Sequence, residues 1–305
     1  MNSKTVYDVV YIGNYTKDII VSPEGVKNVD GGAVNYAAHA GARLGFKVAV
    51  LTHLSKEDQR VIDNLQQAGV ACLPIYTPNS TCVKLEYPTL DVDRRTLYVT
   101  STAGSFTTAE VEPIQAKTFV IGTTLRGEVS LEVVLALKMK KTRLAADVQG
   151  FIRVLRDQTL VHEPWEEMQA VLACIDILKT DAMEAEFLTG SSDIHKAAHV
   201  LAAAGPSEIV LTHKEGLLLH AMGEDHEIGF YPRSLNGRSG RGDTCLGAYA
   251  ALRLRYPPKQ AGIWAAAVTS LKMESPMPFN RDIHEVEELI HEKYRAESLP
   301  RQEAN

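Results

Sequence analysis

The sequence predicts an α/β fold: a mostly parallel central sheet with helices on both faces, plus a small β-sheet lid. Three observations predict it. Short apolar runs alternate with helix-period segments along most of the 305 residues, the rhythm of strands joined by crossover helices. The rhythm breaks from Val70 to Thr100, where short strand-like runs follow one another with no helical pattern between them. A glycine-rich loop at 236–242 then runs directly into a helical pattern, as in an anion cradle at a helix N-terminus.

Tyr7 to Ile12 is an apolar run ended by Gly13 and reads as a buried strand. A dinucleotide-binding turn there would need three glycines, and one is present. Ile19 to Val21, the turn Pro23-Glu24-Gly25 and Val26 to Val29 form a hairpin that interrupts the βα rhythm, so it is a flap candidate. Gly31-Gly32 opens a helix in which Ala33, Ala37, Ala40 and Gly41 lie at helical spacing, so it can pack closely on a sheet. Gly45 suits its stop. Lys47 to Thr52 is a strand and Gln59 to Ala68 an amphipathic helix. Ala71 to Tyr76, Cys82 to Tyr87 and Thr96 to Val99 are assigned, with the 19–29 hairpin, to the small sheet. The lid segments are therefore about 19–30 and 71–102, inserted in a single domain spanning 1–305.

The α/β rhythm resumes with strands at 118–122 and 143–147, a further strand closing the segment 170–178, and one at 208–212. Helical patterns cover 131–139, 182–188, 195–204, 243–255, 259–272 and 283–295, and 217–221 pairs antiparallel with 226–231. The tail from Glu297 is expected to fray.

A composition of 45% hydrophobic and 23% charged residues supplies ample core. The net charge of -6 argues against a nucleic-acid partner, which selects a basic surface. The four cysteines form no C-x-x-C pair and read as thiols of a reducing compartment. The first residues carry no apolar signal core, and no run reaches membrane-span length, so a cytoplasmic protein with no membrane partner is expected. The ten histidines show no metal spacing and receive no role.

The chemistry concentrates at 236–254. Gly240 and Gly242 bare the backbone, and Asp243 sits where the helix begins and unpaired N–H groups point outward. A carboxylate beside an anion cradle fits a phosphoryl group in transit, with the carboxylate taking a proton from the attacking hydroxyl. The competing reading of Asp243 is a helix N-cap.

Two signatures carry a resemblance. Gly31-Gly32-x-x-Asn35 followed by Arg43-Leu44-Gly45, and Gly240-Arg-Gly-Asp243-Thr-x-x-Gly247-Ala about two hundred residues on, resemble the two signatures of the ribokinase-like (PfkB) family of sugar and nucleoside kinases. The resemblance covers nearly the whole chain. It implies ATP-dependent phosphorylation of a hydroxyl with Asp243 as base and the backbone N–H groups of Gly240, Arg241 and Gly242 as anion hole. It implies that Asp18, Gly31, Gly32 and Asn35 hold the acceptor, with Gln149 and Arg153 from Asp147-Val-Gln-Gly-Phe-Ile-Arg153 in the same pocket. Thr212, Lys214 and Gly216 occupy the family's ATP loop, alongside Gly240 and Gly242. Lys179-Thr-Asp181-Ala-Met-Glu184 resembles the family's Asn-x-x-Glu motif, so Glu184 and Asp181 would order Mg2+, through water.

The chain also departs from the pattern. Gly237 and Arg238 replace the aspartate and threonine ahead of the second signature, where ribokinases help hold a monovalent cation, so that cation does not carry over. Arg241 replaces a small residue inside the anion hole. Gly13-Asn14-Tyr15-Thr-x-Asp18, the 147–153 segment and Leu271-Lys-Met-Glu274 resemble the myo-inositol kinase-like branch, which makes myo-inositol the first acceptor to test, ahead of ribose, fructose or a nucleoside. A second class of function stays open: a catalytically reduced relative that binds a sugar or nucleotide as a sensor. The lid edges allow either a homodimer or a monomer shielded by charge.

Overall fold

The computed structural model describes residues 5–23, 25–89, 96–237 and 239–294. Fifteen strands are described: β1 (Val6–Ile12), β2 (Thr16–Ser22), β3 (Gly25–Gly31), β4 (Val48–Leu54), β5 (Ala71–Tyr76), β6 (Thr81–Glu86), β7 (Thr96–Ser101), β8 (Gln115–Ile121), β9 (Arg143–Asp147), β10 (Arg153–Arg156), β11 (Thr159–His162), β12 (Ile177–Asp181), β13 (Glu208–Thr212), β14 (Gly216–Ala221) and β15 (Glu224–Gly229). The helices are α1 (Ala33–Arg43), α2 (Gln59–Gln67), α3 (Thr108–Val111), α4 (Leu131–Lys138), α5 (Gln149–Ile152), α6 (Met168–Leu172), α7 (Ala182–Thr189), α8 (Ile194–Ala203), α9 (Arg241–Leu252), α10 (Pro258–Met273) and α11 (Ile283–Lys293).

Nine strands form the large sheet in the order β15-β14-β13-β12-β9-β8-β1-β4-β5. From β13 to β5 every neighbouring pair is parallel; β14 and β15 add an antiparallel hairpin at one edge. With helices on both faces and a two-residue strand period, the buried part of such a strand is apolar at successive positions. In β1, Val9 and Tyr11 enter the core under α1, α9 and α10, whereas Val10 and Ile12 enter the opposite core under α4 and α8. Among the described residues no helix is long and apolar enough to cross a membrane.

Six strands form the small sheet, in the order β10-β11-β7-β6-β2-β3. Two corrections to the sequence reading follow. Ala71–Tyr76 does not join it: β5 lies parallel to β4 at the edge of the large sheet, from Ala49 opposite Ala71 to Leu54 opposite Tyr76. A run that follows an amphipathic helix is a crossover strand, and the missing helix after it misled the assignment. The small sheet instead takes its far edge from β10 and β11, which periodicity did not reveal because they are only four residues each. Its apolar face gathers Val83, Leu85 and Val99 against Ile20, Leu97 and Leu160. The tail from Glu297, Arg238 and 90–95 of the second lid segment lie outside the described residues.

Candidate active site

Both glycine signatures open helices without a side-chain cap. Gly32 (φ 92°) is the N-cap of α1 and Gly240 (φ 72°) that of α9, both in the positive-φ region that favours glycine. By contrast Asp181 caps α7 and Asp193 caps α8 with their carboxylates. The N-cap residue of α9 thus has no side chain to take up the helix's first N–H groups, the setting in which a helix start binds an anion. The two helices pack together closely: a Cβ on Gly247 of α9 would come within 2.6 Å of Ala37 in α1, and the Tyr11 hydroxyl donates to the Gly247 carbonyl at 3.0 Å.

Asp243 lies in the first turn of α9 and is partly buried. It shares the lining of a small cavity of about 10 Å3 with Asp147, Tyr11 and Gly122. Burial pushes its carboxyl up from the usual range, and Lys179, Arg153 and Lys272 pull against that shift without cancelling it. A carboxylate moved towards neutrality is a better proton acceptor at working pH than a fully solvated one.

Two buried lysines flank this turn. Lys179, in β12, is 5% exposed; its Nζ lies 2.9 Å from Asp147 Oδ2 and 4.0 Å from Glu184 Oε2. It also sits directly under the anion cradle, since a Cβ on Gly242 would meet its Nζ at 2.7 Å. Lys272, in α10, is 1% exposed. Its Nζ donates to the carbonyls of Gly237 at 2.9 Å, Ser275 at 3.4 Å and Ser239, and lies 5.1 Å from the centre of the Tyr36 ring. Three carbonyls around one ammonium tie down the loop that leads into Gly240.

Arg153 completes the positive charge. Its Nη2 lies 3.6 Å from Glu184 Oε1, and its side chain is 17% exposed. Asp181 and Glu184 form a reciprocal capping box: the Glu184 N–H donates to Asp181 Oδ1 at 2.8 Å and the Asp181 N–H to Glu184 Oε2 at 3.0 Å. Both acids supply hard oxygen donors, and the box leaves each a second carboxylate oxygen, a donor set that suits hydrated Mg2+.

Of the residues expected to hold an acceptor, Asp18, Gly31, Gly32 and Asn35 gather where β2 and β3 of the small sheet lead into α1. Gly31 lets the Asp18 carboxylate approach, because a Cβ there would overlap Asp18 Oδ2. Asp18 and Asp243 both act on the Tyr36 hydroxyl, which burial, Asp18, Asp243 and Asp30 in that order make harder to ionise. That hydroxyl is buried and has no hydrogen-bond partner among the described residues. The Asn35 amide donates to the Asp30 carbonyl at 3.0 Å, so part of its capacity holds the β3–α1 junction. Gln149 likewise donates to the Thr123 carbonyl at 3.2 Å.

The residues expected for the nucleotide split up. Thr212 ends β13 beside Asp181 in register and is buried, with its hydroxyl donating to the Thr180 carbonyl at 3.4 Å. Lys214 is exposed in the β13–β14 turn. Gly216 faces the β15 backbone, where a Cβ would overlap the Ile228 carbonyl, so its size is explained by strand packing.

Sequence reasoning passed over Lys179, Lys272 and Tyr36. A signal existed for both lysines: each is the one cation in a buried, otherwise uncharged run (Ile177-Leu-Lys-Thr and Val268-Thr-Ser-Leu-Lys), where an unpaired charge is not tolerated. Tyr36 carried no signal beyond its place in the first signature.

A helix start without a side-chain cap, beside a buried carboxylate whose pKa is raised and walled by buried cations, is an arrangement suited to phosphoryl transfer. Residues 4–278 match the pfkB family carbohydrate kinase model, and the chain belongs to that family. It is 25% identical over 253 residues to a cytidine kinase of Thermococcus kodakarensis, covering 80% of this chain and 87% of that one. It is 31% identical to a solved pyrophosphate-dependent kinase of the ribokinase family complexed with a pyrophosphate analog and myo-inositol (TM-score 0.85, 92% of this chain and 99% of that one). The ribokinase of Arabidopsis thaliana, at 18% identity and TM-score 0.75 over 94% and 99%, shares the fold.

Proposed function

We propose that this kinase phosphorylates a hydroxyl of a neutral cyclic polyol, with myo-inositol the first acceptor, and that Asp243 is the general base. The observation that carries the reading is Asp243 in the first turn of a helix whose N-terminus no side chain caps. The acceptor hydroxyl gives its proton to Asp243 as its oxygen attacks the donor's terminal phosphorus. The N–H groups of Gly240, Arg241 and Gly242 hold the transferring group, and Lys179 under Gly242 adds charge where it develops. Asp18, Gly31, Gly32, Asn35 and Tyr36 orient the polyol together with Gln149 and Arg153, while the small sheet excludes water as a lid. Asp181 and Glu184 would hold Mg2+ through water, and that ion supplies neutralisation of the donor's phosphates. Lys272 acts through the loop it ties, as a positioning residue.

ATP is the donor that the sequence implies, with Thr212 and Lys214 on its side of the site. Inorganic pyrophosphate is a second reading, favoured by the donor of the 31%-identical relative and by Arg241 in the cradle. A donor without a nucleoside must draw its affinity from charge, and a guanidinium matches a phosphate bidentately. The four free cysteines support a cytoplasmic setting.

The test crosses two donors with a panel of polyols, sugars and nucleosides and detects the product by 31P NMR. Phosphoinositol from either donor supports the reading, and the donor that turns over decides between the two. Turnover only of a nucleoside or a sugar would replace the acceptor. Binding of a polyol without turnover of any acceptor would leave the sensor class standing instead.

A further inference from the structure

Three of the ten histidines converge on one carboxylate far along the hairpin from the catalytic turn. His195 and His199 stand one turn apart on α8, so both rings project from the same face. His220 on β14 and Asp225 on β15 are direct cross-strand partners near the Ala221–Glu224 turn. Gly216 begins β14 at the active-site end, so His220 and Asp225 sit at the other end of the hairpin. His195 Nδ1 lies 2.8 Å from Asp225 Oδ2, His199 Nε2 3.0 Å from the same oxygen, and His220 Nδ1 2.6 Å from Oδ1. The ligand atoms of His199, His220 and Asp225 all fall within 4.8 Å of one another.

We propose that His199, His220 and Asp225, with His195 as a fourth ligand, bind one divalent transition-metal ion, Zn2+ first. Two or three imidazoles and one carboxylate select a borderline cation over Mg2+ or Ca2+, which want an all-oxygen shell. Ligand atoms around tetrahedral zinc stand about 3.3 Å apart, given bonds of about 2.0–2.1 Å, so the cluster needs only small side-chain shifts to admit the ion. Glu227 Oε1, 2.9 Å from His195 Nε2, supplies the partner that orients a ligating imidazole through its other nitrogen. The His199 ring packs 4.8 Å from the His220 ring, which brings the helix ligand and the hairpin ligand side by side. The bound ion clips α8 to the β14–β15 edge of the large sheet. The site is half exposed and remote from Asp243, so its role is structural and independent of phosphoryl transfer.

The test uses the full chain after EDTA treatment and dialysis, titrated with ZnCl2 by calorimetry, and with CoCl2 for visible absorption. The expected result is about one equivalent bound with tetrahedral-type Co2+ bands, and a melting midpoint raised by about 4 °C or more at saturating Zn2+. His199→Gln changes an exposed side chain and keeps the fold; with Asp225→Asn it is expected to abolish the bands and lower Zn2+ affinity by about a hundredfold or more. MgCl2 is expected to shift the midpoint equally in the parent chain and the double variant, because it does not use this site. No Zn2+ binding by the parent chain, or equal binding by the double variant, would overturn the proposal and identify the cluster as a hydrogen-bond network.

Discussion

Two buried lysines stand on either side of Asp243, and their surroundings are opposite. Lys179 faces carboxylates, Asp147 at 2.9 Å and Glu184 at 4.0 Å; despite the cost of burial, these hold its ammonium well above the ordinary lysine range. Lys272 faces three neutral carbonyls, and burial draws it from 10.5 to about 8, with only Asp243 pulling the other way. The first lysine balances charge, whereas the second shapes a loop. Removing either strands a different partner, and this separates their roles experimentally.

Lys179→Met is expected to have the largest effect. It leaves Asp147 buried without its counter-charge and Glu184 with Arg153 alone, and stranding a buried charge in this way costs about 3–5 kcal/mol. Urea denaturation should show that loss, together with activity near background. A stability change under about 1 kcal/mol would mean that the carboxylates protonate at little cost.

Lys272→Met should cost less, about 1–3 kcal/mol for carbonyls left unpaired, and lower kcat by about a hundredfold through a misplaced loop. Potassium and ammonium ions resemble the lost ammonium in charge and size. Either salt should raise kcat of the variant severalfold or more at constant ionic strength, while the parent chain shows no such response. A variant of normal kcat would remove Lys272 from the mechanism.

The pH dependence sharpens the same contrast. Between about 8 and 10.5 the unfolded chain holds more protons at Lys272 than the folded one, so this group makes stability rise with pH across that window. Over the same window the tie to the Gly237, Ser239 and Ser275 carbonyls weakens as the ammonium is lost, so kcat should fall from about pH 8 while the melting midpoint does not. Lys179 has the opposite sign: its raised pKa contributes stability that is fully present below about 10.4 and is lost only as pH climbs through the higher folded value. A kcat decline that Lys272→Arg fails to move to higher pH would assign it to another group.

Tyr36→Phe is the smallest perturbation. Its buried hydroxyl has no partner among the described residues, so the variant should be as stable as the parent or more so. If that hydroxyl meets the polyol, kcat/KM for the acceptor should fall about three- to tenfold with kcat for the donor's hydrolysis unchanged. Unaltered acceptor kinetics would leave Tyr36 as a wall for Gly240 alone.

The contrast between the two sheets shows what the sequence could reveal. The large sheet was readable because its strands are buried on both faces, and continuous apolar runs such as β1 and β13 result. The small sheet was harder: β10 and β11 are four residues long and half-exposed, and β5 was drawn to it by the company of β6 and β7. At the site, the glycine signatures and Asp243 were legible because backbone exposure demands particular residues in consecutive order. Lys179 and Lys272 come from different elements and meet the cradle only through packing. The histidine cluster escaped because the i,i+4 spacing of His195 and His199 was passed over, and because His220 and Asp225 join them only through the register of β14 and β15.

The most direct test of the central claim is Asp243→Asn, with single-turnover phosphoryl transfer to myo-inositol and equilibrium binding of donor and polyol measured on the same preparation. Asparagine keeps the shape and removes the proton acceptor. The rate is expected to fall by about 10^3-fold or more while both affinities stay within about threefold of the parent. A rate within tenfold of the parent, with affinities preserved, would contradict Asp243 as the base.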